Sequence, residues 1–436
     1  MNKLDGFFHL SQRGTTLGRE IRGGCTTFCS MAYLILVIPG LLSGAGMDFE
    51  QVMTAACLIA AVGSIVSGLA SNLPFALAPG LGFTTLFTYT FCQKYGCTWQ
   101  QALVLVLLSG ILFLILGLTP LRERLNDALP MPFKFALSAG VGLFLTLSGL
   151  INAGLITADN NLVDMGTLAA PEPLLALLGI FVTAVLVMKR VPGALMLGMA
   201  LTVILGIPLG VTVLPETVMT VPELSPTALE LDFTVLFTLG PVPLFSALLS
   251  LLISQYFDAL GTLLGVAGDA KLTDTTGDLA GQREVMLCCG AATCAGALLG
   301  VSNVTAMAES ATGIREGART GLASVVTGLL FLCMLPFTSL AGVITGAALA
   351  APLVMMGMSM MSGITQITWK HVEISLPSFL MIVGMPFTFS ITTGVMLGVV
   401  SYVVVMVCRK RAHLIDPALY FLAAVFVLNA VLGAIP

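Results

Sequence analysis

The sequence predicts an all-α polytopic membrane protein of about fourteen transmembrane segments, arranged as two inverted repeats of seven, with short strands inside the third and tenth segments. Three observations predict it. Of 436 residues, 57% are hydrophobic and only 9% are charged, with a mean hydropathy of +1.03, values outside the range of a soluble domain this long. The apolar residues fall into runs of about 15 to 25 with short polar punctuation, the length a bilayer requires. Lysine and arginine sort almost entirely to one side of those runs.

In chain order, the first four spans are expected at Gly23–Leu42, Val52–Ala70, Leu73–Phe91 and Gln101–Leu118. A charged connector, LRERLNDAL, leads to spans at Met131–Leu150, Leu174–Met188 and Pro192–Leu209. Val213 to Gly240 is a proline-punctuated acidic loop without Lys or Arg. The second half has spans at Val242–Val266 and Val285–Leu299, then the broken stretch Gly300 to Gly321. Spans at Leu322–Leu335, Val343–Met361, Leu376–Phe389 and Thr392–Val407 follow, and Ala418–Leu432 is a further apolar stretch that the charges leave unplaced.

With the N-terminus inside, Lys3, Arg13, Arg19, Arg22, Arg122, Arg124, Lys134, Lys189, Arg190, Lys271, Arg283, Arg315, Arg319, Lys370 and Arg409 to Arg411 fall on the cytoplasmic side, and only Lys94 falls outside. A miscounted span would scramble that pattern. The N-terminus, MNKLDGFFHLSQRG, lacks the basic and apolar regions of a signal peptide, so the first span is expected to be retained. The net charge of −4 comes with no basic patch, and no nucleic-acid partner is expected.

The segment GVSNVTAMAESATGIREGARTG reads as a strand (Ser302–Met307) followed by a half-helix (Ala308–Ile314), with Glu309 in its first turn. Such a break survives in lipid only where protein or an aqueous cavity satisfies the freed backbone. SNLPFALAPGLG, in the third span, aligns without gaps to SNVTAMAESATG in the tenth, with the half-helices starting at Ala78-Pro79 and Glu309-Ser310. Two opposed half-helix N-termini would meet near mid-membrane, where N–H groups can bind a polar solute.

Nearly all of the 22 acidic residues lie in loops or at span ends. Asp258 in the eighth span and Glu309 in the tenth do not, and intramembrane acids generally face a pathway. No Lys, Arg or His at that depth offers them a counter-charge, which favours neutralisation by a proton, a transported cation or a hydrogen-bonding substrate. Gly80, Gly82, Gly261 and Gly265 would permit close approach of a flat ligand or of another helix. Phe83 could stack on a ring, while Thr84, Thr262 and Ser310 carry hydroxyls next to the breaks. The cysteines show no metal-like spacing, although Cys92 and Cys97 flank a turn and could pair. No catalytic constellation, Gly-Lys-Ser/Thr phosphate loop or zinc helix is present, which argues against an enzyme, an ATP-driven pump, a resident metal or a cofactor.

These residues resemble the AzgA-like purine permeases, a branch of the nucleobase–cation symporters, over essentially the whole chain. The resemblance rests on GGCTTFCSMAYLILVIPGLL, ALAPGLGF, YFDALGTLLGVAG and SNVTAMAESATGIREGARTGLASVVTGLLF. It implies the uracil-permease fold, with core-domain parts at 16–118 and 241–338, gate-domain parts at 119–212 and 339–411, an external loop at 213–240 and a C-terminal segment at 412–436. It also implies a homodimer in the cytoplasmic membrane. Carried over, the family's substrate-binding acids fall on Asp258 and Glu309, with backbone around Phe83 and Glu309 facing the ligand. Where that branch usually reads GMGLNA, this chain has GLGFTT, so Thr84 replaces an asparagine and the particular base stays open. The function this implies is import of a guanine-, hypoxanthine- or adenine-like base with protons. A carrier of another heterocycle or of an anion on the same fold, and an uncoupled facilitator, are the alternatives.

Overall fold

Helices start where a side chain can take up their free N–H groups. The computed structural model describes residues 3–119, 130–159, 162–167, 170–191, 193–212, 229–269, 279–336, 345–388 and 391–433. Thr16 accepts the Arg19 N–H to open α1 (Leu17–Met31), which is followed after a short break by α2 (Leu34–Ser43). Asp48 caps α3 (Phe49–Ser71) by accepting the Gln51 N–H. After β1 (Leu77–Pro79) comes α4 (Leu81–Thr85), which winds on as π-helical turns to Lys94. Thr98 and Gln101 form a reciprocal capping box on α5 (Trp99–Leu118). Then come α6 (Met131–Asn152), the strands β2 (Ile156–Asp159) and β3 (Leu162–Met165), α7 (Pro171–Met188) and α8 (Ala194–Gly206).

The second half contains α9 (Pro241–Asp269), α10 (Gln282–Leu299), β4 (Val304–Ala306), α11 (Ser310–Arg315) and α12 (Gly321–Met334). It continues with α13 (Gly346–Met360), α14 (Val372–Thr388), α15 (Ile391–Cys408) and α16 (Pro417–Gly433). Among the described residues, 7 helices are long and apolar enough to cross a membrane, and shorter apolar helices accompany them. This is a multi-pass membrane protein.

Two groups of helices pack separately. In one, α12 lies on α1 and α3, and α10 lies on α3 and α5. In the other, α13 lies on α6 and α7, and α14 lies on α6 and α15. Small residues allow the close crossings: a Cβ on Gly321 would collide with the Gly68 carbonyl, and one on Gly357 with the Gly142 carbonyl. Between the groups, α9 touches α5 and β4 on one side and α15 and α16 on the other.

The two interrupted segments meet as an antiparallel pair with Leu77 opposite Ala306, Ala78 opposite Thr305 and Pro79 opposite Val304. Gly80 N–H to Asn303 O (2.9 Å) and Met307 N–H to Ala76 O (3.0 Å) extend it. Side chains satisfy the outward backbone groups, as an apolar surround demands. The Ser64 hydroxyl accepts from Leu77 N–H (2.9 Å), Ser310 from Ala76 N–H (3.1 Å) and Thr293 from Val304 N–H (3.0 Å). Gln255 donates to Val304 O (3.0 Å), and Asn303 donates to Gln255 Oε1 (2.9 Å) and Ser109 Oγ (2.8 Å).

Several expectations need correction. Pro79 ends β1 and is not the first residue of a half-helix; Gly80, with φ −81° and ψ 134°, is the residue that leads into α4. A proline holds its predecessor extended, so Ala78 stays in the strand. The gap-free alignment of the two breaks therefore runs out of step, because β1 starts at Leu77 and β4 at Val304. The first span is broken at Ala32-Tyr33, and the β2–β3 hairpin went unanticipated. Cys92 and Cys97 are unpaired, like the other cysteines. The connector at 121–129, most of the acidic loop (213–228), Lys271 and the 338/339 boundary lie outside the described residues. Lys94 Nζ donates to Thr388 O (3.0 Å) at the C-terminal end of α14.

Candidate functional site

Helical spacing places Ser254, Asp258 and Thr262 one above the other on one face of α9, four residues apart. That face borders a cavity of about 380 Å³. Gly80, Gly82 and Phe83 line it from the start of α4, and Thr305 and Glu309 line it from the middle of β4 and the cap of α11. The opposite wall belongs to α6 and to the end of α13, through residues such as Phe135, Val141 and Met360. The cavity thus lies between the two helix groups, against the paired strands.

Glu309 is the N-cap of α11, and its side chain sits at the base of the cavity with 9% exposure. One carboxyl oxygen, Oε1, accepts a 2.7 Å hydrogen bond from the Tyr33 phenol, which is itself fully buried. The other, Oε2, is buried without a hydrogen-bond partner, as is the hydroxyl of Ser254, while the Thr305 hydroxyl lies beside Asp258. Buried polar atoms are nearly always paired, so two orphaned groups bordering one cavity point to a polar ligand there. Glycine is required at the break on steric grounds. A Cβ on Gly80 would lie 2.6 Å from the Phe83 ring, and one on Gly82 would lie 2.8 Å from Val141. Gly80→Ala is accordingly expected to displace the Phe83 ring and raise the KM for transported substrate about tenfold at unchanged membrane abundance, measured as initial uptake rates. An unaltered KM would separate the ring's position from binding.

The structure brings together Asp258, Glu309, Phe83, Gly80, Gly82 and Thr262. It does not bring in Thr84 or Ser310. The fully buried Thr84 hydroxyl donates to Gly80 O (2.9 Å) and shares a 2.7 Å hydrogen bond with Ser302, tying the two breaks together from behind. Ser310 turns its hydroxyl to the Ala76 N–H. Both are correctly located in the chain but face away from the cavity, a direction that residue type alone does not encode. Sequence reasoning missed Tyr33, Ser254 and Thr305. Ser254 could have been found from its four-residue spacing to Asp258, and Tyr33 as the one ring hydroxyl in the first span. Lys134, in the first turn of α6, lines the same cavity together with Ser362 and Gly363.

A ligand-sized cavity walled by two helix groups, with one acid on an interrupted membrane segment and a second on the long helix beside it, defines a membrane carrier. Residues 18–397 match the Permease family, and the chain belongs to that family. It is a transporter and not an enzyme. It is 35% identical over 429 residues to the adenine permease AdeP of Escherichia coli, covering 98% of this chain and 96% of AdeP. It is 36% identical over 426 residues to the guanine/hypoxanthine permease PbuO of Bacillus subtilis, covering 96% and 98% of the two chains. The fold is similar to that of the transmembrane domain of a cyanobacterium bicarbonate transporter, BicA, with a TM-score of 0.65 at 16% identity, over 88% of this chain and 97% of that one.

Proposed function

We propose that this permease carries a purine-type nucleobase across the membrane together with protons, with Asp258 and Glu309 as the substrate-binding acids. The observation that carries the reading is the orphaned pair at the cavity: Glu309 Oε2 as acceptor and the Ser254 hydroxyl as donor or acceptor. A purine presents ring N–H or amino donors beside ring-nitrogen or carbonyl acceptors along one flat edge, and this set can meet both kinds. The cavity of about 380 Å³ suits so small a ligand. Phe83 would cover one face of the base, while Asp258 and Thr262 border the site from α9. Relatives covering nearly the whole chain are an adenine permease and a guanine/hypoxanthine permease, which supports the same class of substrate.

The proton would be carried by one of the two acids, taken up and released as the cavity changes sides. Fourteen segments in two inverted repeats form the architecture of the proposal. The group containing α1, α3, α5, α10 and α12 would be the core and the group containing α6, α7, α13 and α14 the gate, supported by their separate packing. Lys134, Ser362 and Gly363 lie on the side that the basic residues mark as cytoplasmic, so the cavity drains inward. A homodimer embedded in lipid completes the proposal. In cells expressing the protein, uptake of labelled adenine or guanine should be inhibited by excess unlabelled purines and left unchanged by sulfate or dicarboxylates. The reverse pattern would overturn the reading in favour of an anion carrier. Ser254→Ala is expected to weaken uptake about fivefold in KM, the cost of one neutral hydrogen bond, and an unaffected KM would take Ser254 out of the site.

A further inference from the structure

We infer that Tyr33 is a positioning residue for substrate recognition: its phenol pins one oxygen of Glu309 so that the other is presented to the ligand. The inference rests on the nucleobase reading of the cavity. A carboxyl group at the end of a Glu side chain turns on a broad, roughly two-fold torsion, so burial alone does not set its plane. Here Tyr33 supplies the constraint. The ring is fully buried, and its hydroxyl donates to Glu309 Oε1 at 2.7 Å. Tyr33 is the side chain that bonds to that carboxyl, and Oε2 is left as an unpartnered acceptor at the cavity. A buried donor to a charged or polarised acceptor makes a short, strong hydrogen bond, which suits a group whose task is to hold another in place.

The backbone explains why the ring can reach this far. Tyr33 stands at the interruption between α1 and α2, where a continuous helix gives way to a turn. Glu309 stands at the interruption between β4 and α11. Two broken segments, 276 residues apart in sequence, are thus tied by a side-chain contact at the ligand's place, with the Ser30 hydroxyl donating to Thr312 Oγ1 (3.1 Å) beside it. Tyr33 itself lines the cavity, but its one proton is already committed to Glu309, so its contribution is made through that residue.

The test is a double-mutant cycle on purified full-length protein, read as equilibrium binding of tritiated adenine and guanine. Tyr33→Phe removes only the hydroxyl and is expected to raise Kd about tenfold for whichever base binds, the worth of a hydrogen bond to a charged group. In a Glu309→Gln background, where the amide is neutral and free to flip, the same change should alter Kd by less than about twofold. Glu309→Asp, which draws the carboxyl back from the phenol, should weaken wild-type binding by a similar factor and lose its sensitivity to Tyr33→Phe. Where Tyr33→Phe folds poorly, Glu309→Asp by itself keeps the test decisive, because it retains the acid and loses the phenol contact, and an unchanged Kd in that variant would overturn the proposal. Equal losses from Tyr33→Phe in the wild-type and Glu309→Gln backgrounds would overturn the proposal, since the phenol would then act on the ligand or the fold independently of Glu309. An unchanged Kd in Tyr33→Phe would also overturn it while leaving the nucleobase reading intact. Failure of the wild-type protein to bind either base would remove both.

Discussion

Glu309→Gln is expected to abolish proton-driven accumulation of purine, lowering Vmax/KM by at least about 100-fold, while the protein remains in the membrane at its usual level. The substitution conserves shape, and either end of its amide can bond to the Tyr33 hydroxyl, which both donates and accepts, so the fold around α11 should be preserved. What it removes is the capacity to exchange a proton. It also replaces the unpartnered acceptor Oε2 with an amide in which one of the two positions must be a donor, which faces N–H groups of the ligand with N–H groups of the protein. Proteoliposomes with an imposed pH gradient provide the measurement. The wild-type protein should concentrate labelled base above its external level, and Glu309→Gln should not. Collapsing the gradient with a protonophore should reduce the wild-type protein to the variant's level, and replacing sodium should leave it unchanged. Accumulation by the variant equal to wild type would remove Glu309 from the coupling mechanism. Flux in the wild-type protein that never exceeds equilibrium would make the protein a facilitator.

Asn303→Ala is expected to destabilise the protein by roughly 2–4 kcal/mol, because it breaks a buried network and not a single contact. The Asn303 amide donates to Ser109 on α5 and to Gln255 on α9, while its backbone carbonyl receives the Gly80 N–H. Removing the side chain leaves Gln255 Oε1 without that donor in a region that water does not reach, since Asn303, Gln255 and Ser109 are all fully buried. Gln255 in turn holds Val304 O and Thr293, so the loss would reach the β1–β4 pair itself. Thermal melting of the detergent-purified protein should show the midpoint lowered by several degrees. Purine transport by the surviving folded fraction should fall as well, because the strands hold Thr305 and Glu309. A midpoint equal to wild type would show that the paired strands do not depend on this amide.

Much of the architecture was legible because lipid imposes a simple rule. A chain that must hide its backbone and expose apolar side chains writes its spans as apolar runs, and the observed helices at Met131–Asn152, Pro171–Met188 and Val372–Thr388 sit close to those runs. The interruption at Glu309 was legible for the same reason, since an acid and a run of small residues are costly inside a span unless they serve a cavity. Register was harder. Thin identity across the two breaks suggested that Pro79 starts a helix, but the local restraint that proline places on Ala78 decided in favour of the strand.

The sequence by itself determined that the chain crosses the membrane many times, and it singled out Asp258 and Glu309 as acids inside apolar segments, because both follow from the cost of placing polar groups in hydrocarbon. Only the tertiary structure decided which neighbouring side chains turn toward the cavity. Thr84 and Ser310 were turned to the backbone of the opposing break, while Tyr33, from a span distant in sequence, was brought against Glu309. Those directions depend on how two interrupted segments pair and on where separately packed helices leave space, and contacts across hundreds of residues are set by packing, which no local pattern of residue types encodes.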